Sequence, residues 1–282
     1  MTYRMLIDGK MVEGASTLDV INPASGTSFA RCARADADQL DQAVAAATRA
    51  FSAWSALTFP ERRAYLHEVA DAPQARAEEV GTLLVQEQGK PLRQAQGEVA
   101  GAVGALRWFA DQELSLEVIR DNEKEKILEQ RTPLGVVATI VPWNFPLALL
   151  ANKIAPALIT GNTVVAKPAP STPLTGALLG EIVADILPPG VLNIVMDAND
   201  LGAALSSHPD VAMISFTGST VTGRRVMESA SGSLKRLLLE LGGNDAAIIL
   251  DDADVKEVAR RVFDGAMMNA GQVCLAVKRV YA

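Results

Sequence analysis

Between Val136 and Ala230 short apolar runs alternate four times with longer stretches of helical periodicity, and nothing else in the chain constrains the fold as strongly. The runs are Val136 to Val141, Thr163 to Lys167, Val191 to Val195 and Met213 to Phe216; the helical stretches are Leu147 to Ile159, Pro173 to Ile186, Leu201 to Ser207 and Ser219 to Ala230. A continuous apolar run fits a strand buried on both faces, and a helix after each strand returns the chain to start the next one parallel. The expectation is an α/β fold with a doubly wound parallel sheet. Leu237 to Glu240 and Ala246 to Leu250 read as further strands, followed by a helix over 255–270 and a last strand from Lys278 to Tyr281. Aromatic residues make up only 5% of the chain, which suits helices on a parallel sheet better than a sandwich of short strands.

The section ahead of this alternation differs in kind. Met1 to Lys10 reads as a short hairpin, and its apolar run is broken by Asp8 and Lys10, unlike a secretory signal. Asp36 to Gln112 is helical, with Val44, Ala47, Phe51 and Trp54 spaced three and four apart. Pro73 falls inside this pattern, where an interior proline costs about 3 kcal/mol, so a kink or break is expected there. Glu117 to Arg131 is charged and irregular, an exposed excursion before the apolar section begins.

Composition narrows the function classes. No run of about 18 apolar residues occurs, which argues against a membrane span and for a cytoplasmic protein. A net charge of −7 argues against non-specific nucleic-acid binding. Cys32 and Cys274 are the only cysteines, too few and too far apart for a disulfide framework or a zinc site, so no metal is expected and a thiol remains as a reactive group.

Five local patterns could carry chemistry. Phe216-Thr217-Gly218-Ser219-Thr220-Val221-Thr222-Gly223 joins a strand to a helix, where glycines allow close approach and free amides face an anion; Ser219 as an ordinary N-cap is the plainer reading. Lys167 closes a strand at the end where open α/β sheets bind ligands, or is simply solvated there. Pro142-Trp143-Asn144-Phe145-Pro146 offers an amide to a developing oxyanion, or one that satisfies its own turn. Cys274 after Gly271-Gln272-Val273 is a candidate nucleophile or an inert buried thiol, and Glu240, ahead of Leu241-Gly242-Gly243-Asn244, a candidate base or a solvated strand end. His67 and His208 neighbour no nucleophile motif, which disfavours a histidine dyad.

In this order, and together with Asn22-Pro23-Ala24 and Glu87-Gln88-Gly89-Lys90-Pro91, these motifs resemble the NAD(P)-dependent aldehyde dehydrogenase superfamily along the whole chain. The resemblance implies attack of Cys274 on a small-molecule aldehyde, with Asn144 and the Cys274 amide holding the oxyanion. It further implies hydride transfer to NAD or NADP, and release of the acid by water that Glu240 activates. Losing one oxyanion donor typically costs about 2.7 to 4 kcal/mol, and a general base contributes roughly 10²- to 10⁴-fold. By the same resemblance Pro142, Trp143, Lys167, Phe216, Gly218, Ser219, Thr220, Gly223, Leu241 and Gly242 line the cofactor cleft, and Lys153 could join a proton path. Residues 1–241 would be a Rossmann-like cofactor domain with 117–131 as an oligomerisation arm, and 242–282 the start of a catalytic domain. The complete protein would be a homo-oligomer.

The chain also departs from the family pattern. Pro170 stands where NAD-selective members often carry a glutamate, and Asp197 where glycines are common; Asp197 could repel a phosphate or face solvent. The Glu-x-Phe-Gly-Pro segment that fixes the nicotinamide ribose is not among these residues. The sequence is therefore expected to stop short of the full catalytic domain, with apolar faces left bare near its end. A catalytically silent nucleotide-binding or partner-regulating module, or a cofactor-free thiol esterase, are the alternatives.

Overall fold

The computed structural model describes residues 2–282. The first strands are β1 (Thr2–Tyr3), β2 (Met5–Ile7), β3 (Lys10–Val12), β4 (Ser16–Asn22) and β5 (Thr27–Arg34). Helices α1 (Ala37–Ala56), α2 (Phe59–Ala75), α3 (Ala77–Gln88) and α4 (Leu92–Ala110) follow. The first two starts have a local cause: Asp36 caps α1 by accepting from the Gln39 amide, and Thr58 with Glu61 forms a capping box on α2. Helix α2 runs through Pro73 and ends two residues later, with Arg76 (φ −110°, ψ 25°) breaking the chain before α3.

The alternating section gives β8 (Val136–Ile140), α5 (Pro146–Ile159), β9 (Thr163–Lys167), α6 (Leu174–Val183), β10 (Leu192–Ile194), α7 (Gly202–Ser207), β11 (Val211–Thr217), α8 (Thr220–Ser231) and β12 (Arg236–Glu240), with β6 (Glu117–Asp121) and β7 (Lys126–Glu129) ahead of it. Five strands pair in parallel in the order β12-β11-β8-β9-β10. Every residue of β8 and β9 is buried, as their unbroken apolar runs require. Strand order reverses at β8, whose neighbours are β9 on one side and β11 on the other, so a crevice opens at the carboxyl ends of β8 and β11. The expected N-terminal hairpin, β2 with β3, extends this sheet by pairing antiparallel to β10.

Two features go beyond the sequence reading. Strands β1, β5 and β4 form a separate three-stranded sheet. The excursion is ordered as an antiparallel hairpin of β6 and β7, exposed throughout, with Asp121 and Lys126 paired across the strands at 3.0 Å. Beyond β12, β13 (Asp245–Ile248) pairs parallel with β14 (Val277–Tyr281), and α9 (Val255–Met267) lies between them in sequence. No residue of α9 is buried, and Val255, Phe263, Ile248 and Leu250 are exposed apolar side chains on this last section. Among the described residues no helix is long and apolar enough to cross a membrane, and no cluster of metal-ligating side chains occurs.

Candidate active site

The crevice at the strand reversal holds a cavity of about 470 Å³ and a neighbouring one of about 500 Å³. Pro142, Trp143, Thr217, Gly218 and Ser219 wall both, so the two form one cleft. Lys167, Pro170, Ser206, Phe216 and Arg225 line the first chamber; Asn144, Leu241, Gly242, Gln272 and Cys274 line the second.

Local structure explains each wall. Ser219 caps α8, accepting from the Thr222 amide at 3.2 Å, which leaves the Thr220 and Val221 amides without an intrahelical partner. The plain N-cap reading of Ser219 and the anion-site reading are thus both compatible with one geometry. A Cβ on Gly218 would lie 2.5 Å from the Phe216 ring, and one on Gly223 in α8 would lie 2.7 Å from the tip of the Leu241 side chain, so a side chain at either position would displace its neighbour. Thr220 and Gly223 build the helix start and its packing, and they do not line the cleft.

The two distant motifs meet through the backbone. The Gly243 amide donates to the Cys274 carbonyl at 3.1 Å, and Lys278 Nζ donates to the Gly243 carbonyl at 2.9 Å. Ahead of Cys274 the chain passes through three successive left-handed residues, Asn269, Ala270 and Gly271 (φ 49°, 57° and 77°). For the first two this conformation is strained, and such strain concentrates at functional sites. Asn144 Nδ2 donates to the Gln272 carbonyl at 2.9 Å, which keeps its second N–H for another acceptor. Cys274 is partly exposed, whereas Cys32 is fully buried and its thiol is pushed up to about 12 by burial.

Glu240 ends β12 at the surface, and its carbonyl accepts from the Gly218 amide at 3.0 Å. It does not line either chamber. Its charge is felt by Lys153 on α5, whose ammonium donates to Ser215 Oγ at 3.0 Å; burial pulls Lys153 down to about 8 against the opposing pull of Glu240.

Asp197 neither faces solvent nor stands free to repel an anion. It is 1% exposed; Oδ1 lies 2.6 Å from Lys167 Nζ and Oδ2 accepts from the Leu201 amide at 2.8 Å.

Sequence reasoning assigned no role to a buried charge pair beneath the Asn144 turn. Lys90 Nζ bonds the Glu98 carboxylate, donates to the Asn144 carbonyl at 2.9 Å and lies 4.1 Å from the Phe145 ring centre. Glu98 also accepts from the Leu147 and Ala148 amides at 3.0 and 3.1 Å, capping α5, whose own N-cap residue supplies no side-chain bond. Asn269 Nδ2 reaches the same Asn144 carbonyl at 3.1 Å. A signal was present, since Glu98 lies on the apolar face of α4 with Ala95, Val99 and Ala102.

The polar lining of the first chamber suits a dinucleotide. Thr217 Oγ1 and Ser206 Oγ are buried in its wall with no internal hydrogen-bond partner, and Lys167 retains unused donors.

Comparison with known proteins gives the family. The model of the aldehyde dehydrogenase family matches residues 11–282. Lactaldehyde dehydrogenase of Escherichia coli is 39% identical over 286 residues, covering 99% of this chain and 60% of that protein. The NADP-dependent succinate-semialdehyde dehydrogenase of the same organism is 37% identical, covering 98% of this chain and 59% of its own length. A crystal structure of an aldehyde dehydrogenase from Brucella melitensis biovar abortus superposes with a TM-score of 0.95 at 37% identity, covering 99% of this chain and 59% of that one. The chain thus spans about 60% of the length of these relatives.

Proposed function

The chain belongs to the aldehyde dehydrogenase family, and on that premise we propose that it carries the cofactor cleft and the nucleophile of an enzyme oxidising an aldehyde to a carboxylic acid. The observation that carries this reading is the shared wall of Pro142, Trp143, Thr217, Gly218 and Ser219, which makes one cleft from Lys167 to Cys274. Residues 1–241 serve as the cofactor unit and 242–282 begin the catalytic one. The 117–131 hairpin, with Val118, Ile119 and Leu128 exposed, pairs with a second copy in the complete protein.

In this reading the Cys274 thiolate attacks the aldehyde carbon, forming a C–S bond as the carbonyl electron pair moves onto oxygen. The free Asn144 N–H and the Cys274 backbone amide receive that oxyanion. When bound, the nicotinamide of NAD or NADP supplies the acceptor for the hydride leaving this carbon. Glu240 then takes a proton from the water that attacks the resulting thioester, and the C–S bond breaks to return the thiolate. Lys153, lowered to about 8 by burial, remains mostly an ammonium near neutral pH, and its charge would favour the ionised form of Glu240 that such a base requires.

The relatives named for lactaldehyde and succinate semialdehyde support a short, oxygenated aldehyde as substrate. The test is formation of reduced nicotinamide by the purified protein with a panel of such aldehydes, beside Cys274→Ala. Turnover that disappears in the variant is expected; turnover that survives it refutes Cys274 as nucleophile. Nucleotide binding without turnover would assign these residues to a cofactor-binding unit alone.

A further inference from the structure

Lys167 and Asp197 form an ion pair in which both side chains are almost wholly withdrawn from solvent, at 4% and 0% exposure. The carboxylate is fixed at both oxygens, one on Lys167 and one on the Leu201 amide that opens the turn into α7. Pro170, three residues after the lysine, brings no carboxylate, and among the described residues Asp197 is the acid bonded to Lys167. An ammonium has three donors and Asp197 occupies one, leaving two for the chamber that Lys167 lines.

Hydrogen bonding and charge therefore separate at this lysine. Its remaining N–H groups serve neutral hydroxyl oxygens as well as any amine does. Its positive field is cancelled by a carboxylate 2.6 Å away in a site with little water to screen either charge. A phosphate monoester, carrying about −1.5 to −2 charges near neutral pH, would meet a neutral pair and gain little there. We propose that Asp197 is a specificity-determining residue that makes the cleft prefer a nucleotide with a free ribose 2′-hydroxyl over one carrying a 2′-phosphate. This inference rests on the nucleotide reading of the first chamber. Of the other charges on its wall, Asp200 is held by Arg34 at 2.6 Å, and Arg225 on α8 is the competing cation.

The test is titration of the purified chain with 5′-AMP and with 2′,5′-ADP, followed by calorimetry. These ligands reach the adenosine end alone, so the result does not depend on residues that grip the nicotinamide. The expected result is tighter binding of AMP by the wild-type chain. In Asp197→Asn, which keeps an acceptor for the Leu201 amide while uncovering the lysine charge, 2′,5′-ADP should gain roughly tenfold or more relative to AMP. Arg225→Ala, which takes the competing cation from the chamber wall, should keep or strengthen the preference for AMP over 2′,5′-ADP. Preference of the wild type for 2′,5′-ADP overturns the proposal, as does loss of the preference in Arg225→Ala. An Asp197→Asn chain that weakens for both ligands equally would reduce Asp197 to a structural cap and also overturn it. A folded wild-type chain that binds neither ligand refutes the nucleotide reading itself, and this inference with it.

Discussion

Replacing Lys90 by methionine removes the cation beneath the Asn144 turn while nearly preserving side-chain volume, and the structure sets the size of the effect. Lys90 and Glu98 are 0% and 1% exposed at their side chains, so the substitution strands a carboxylate in the core. Breaking a buried pair from one side costs about 3 to 5 kcal/mol. Here the Leu147 and Ala148 amides continue to solvate Glu98, which places the expected loss at the low end, about 3 kcal/mol. Against a typical domain stability of about 5 to 15 kcal/mol the variant still folds. The assay is urea unfolding followed by circular dichroism, applied to Lys90→Met, Glu98→Gln and the double variant. Glu98→Gln alone strands the ammonium, whereas the double variant strands neither charge. The cycle should therefore return a coupling of about 2 kcal/mol, with the double variant more stable than the sum of single losses implies. A loss below about 1 kcal/mol for Lys90→Met, or additivity within about 0.5 kcal/mol, would refute the argument that this pair supports the turn.

Three further outcomes follow from the geometry. Gly218→Ala would set a Cβ 2.5 Å from the buried Phe216 ring, and overpacking of this kind costs about 1 to 3 kcal/mol; thermal unfolding should show the loss, and nucleotide titration should show weaker binding. Glu87, buried and bonded to the Leu174 and Thr175 amides, is raised by burial from 4.5 to about 7. The folded state thus holds a proton that the unfolded state has already lost, so stability should fall as pH rises from about 4.5 to about 7, and Glu87→Gln should flatten that slope in urea midpoints. Alkylation under native conditions should label Cys274 and spare Cys32, whose thiol is fully buried and raised to about 12; mass spectrometry of the two peptides reads this directly, and rapid labelling of Cys32 would contradict the packing.

The parallel sheet was legible because its strands are buried on both faces and so are written as unbroken apolar runs, Val136–Ile140 and Thr163–Lys167 being the plainest. The cleft was legible through short motifs whose glycines are forced by close packing, as at Gly218 and Gly223. Strands β4 and β5 were missed because their exposed and buried residues do not alternate cleanly, a mixed pattern with no clear period. The 117–131 hairpin was missed because its strands expose both faces, and its pairing is marked by charges such as Asp121 and Lys126, not by an apolar face. The pairing of Asp197 and the role of the Lys90–Glu98 pair were hidden for a different reason. Burial of a charge is decided by partners brought from elsewhere, Lys167 in one case and the Leu147 and Ala148 amides in the other; the apolar face of α4 marks Glu98 as buried but does not name its partners.

The most direct test of the central claim is the mass of the Cys274 peptide after incubation with an aldehyde, with and without NAD or NADP, in the Glu240→Gln background where release of the acyl group should be slow. The account expects an acyl adduct on Cys274 that forms only when the nucleotide is present. A folded, nucleotide-binding protein that gains no such adduct, or gains it equally without nucleotide, would contradict the placing of thiol, oxyanion donors and cofactor in one cleft.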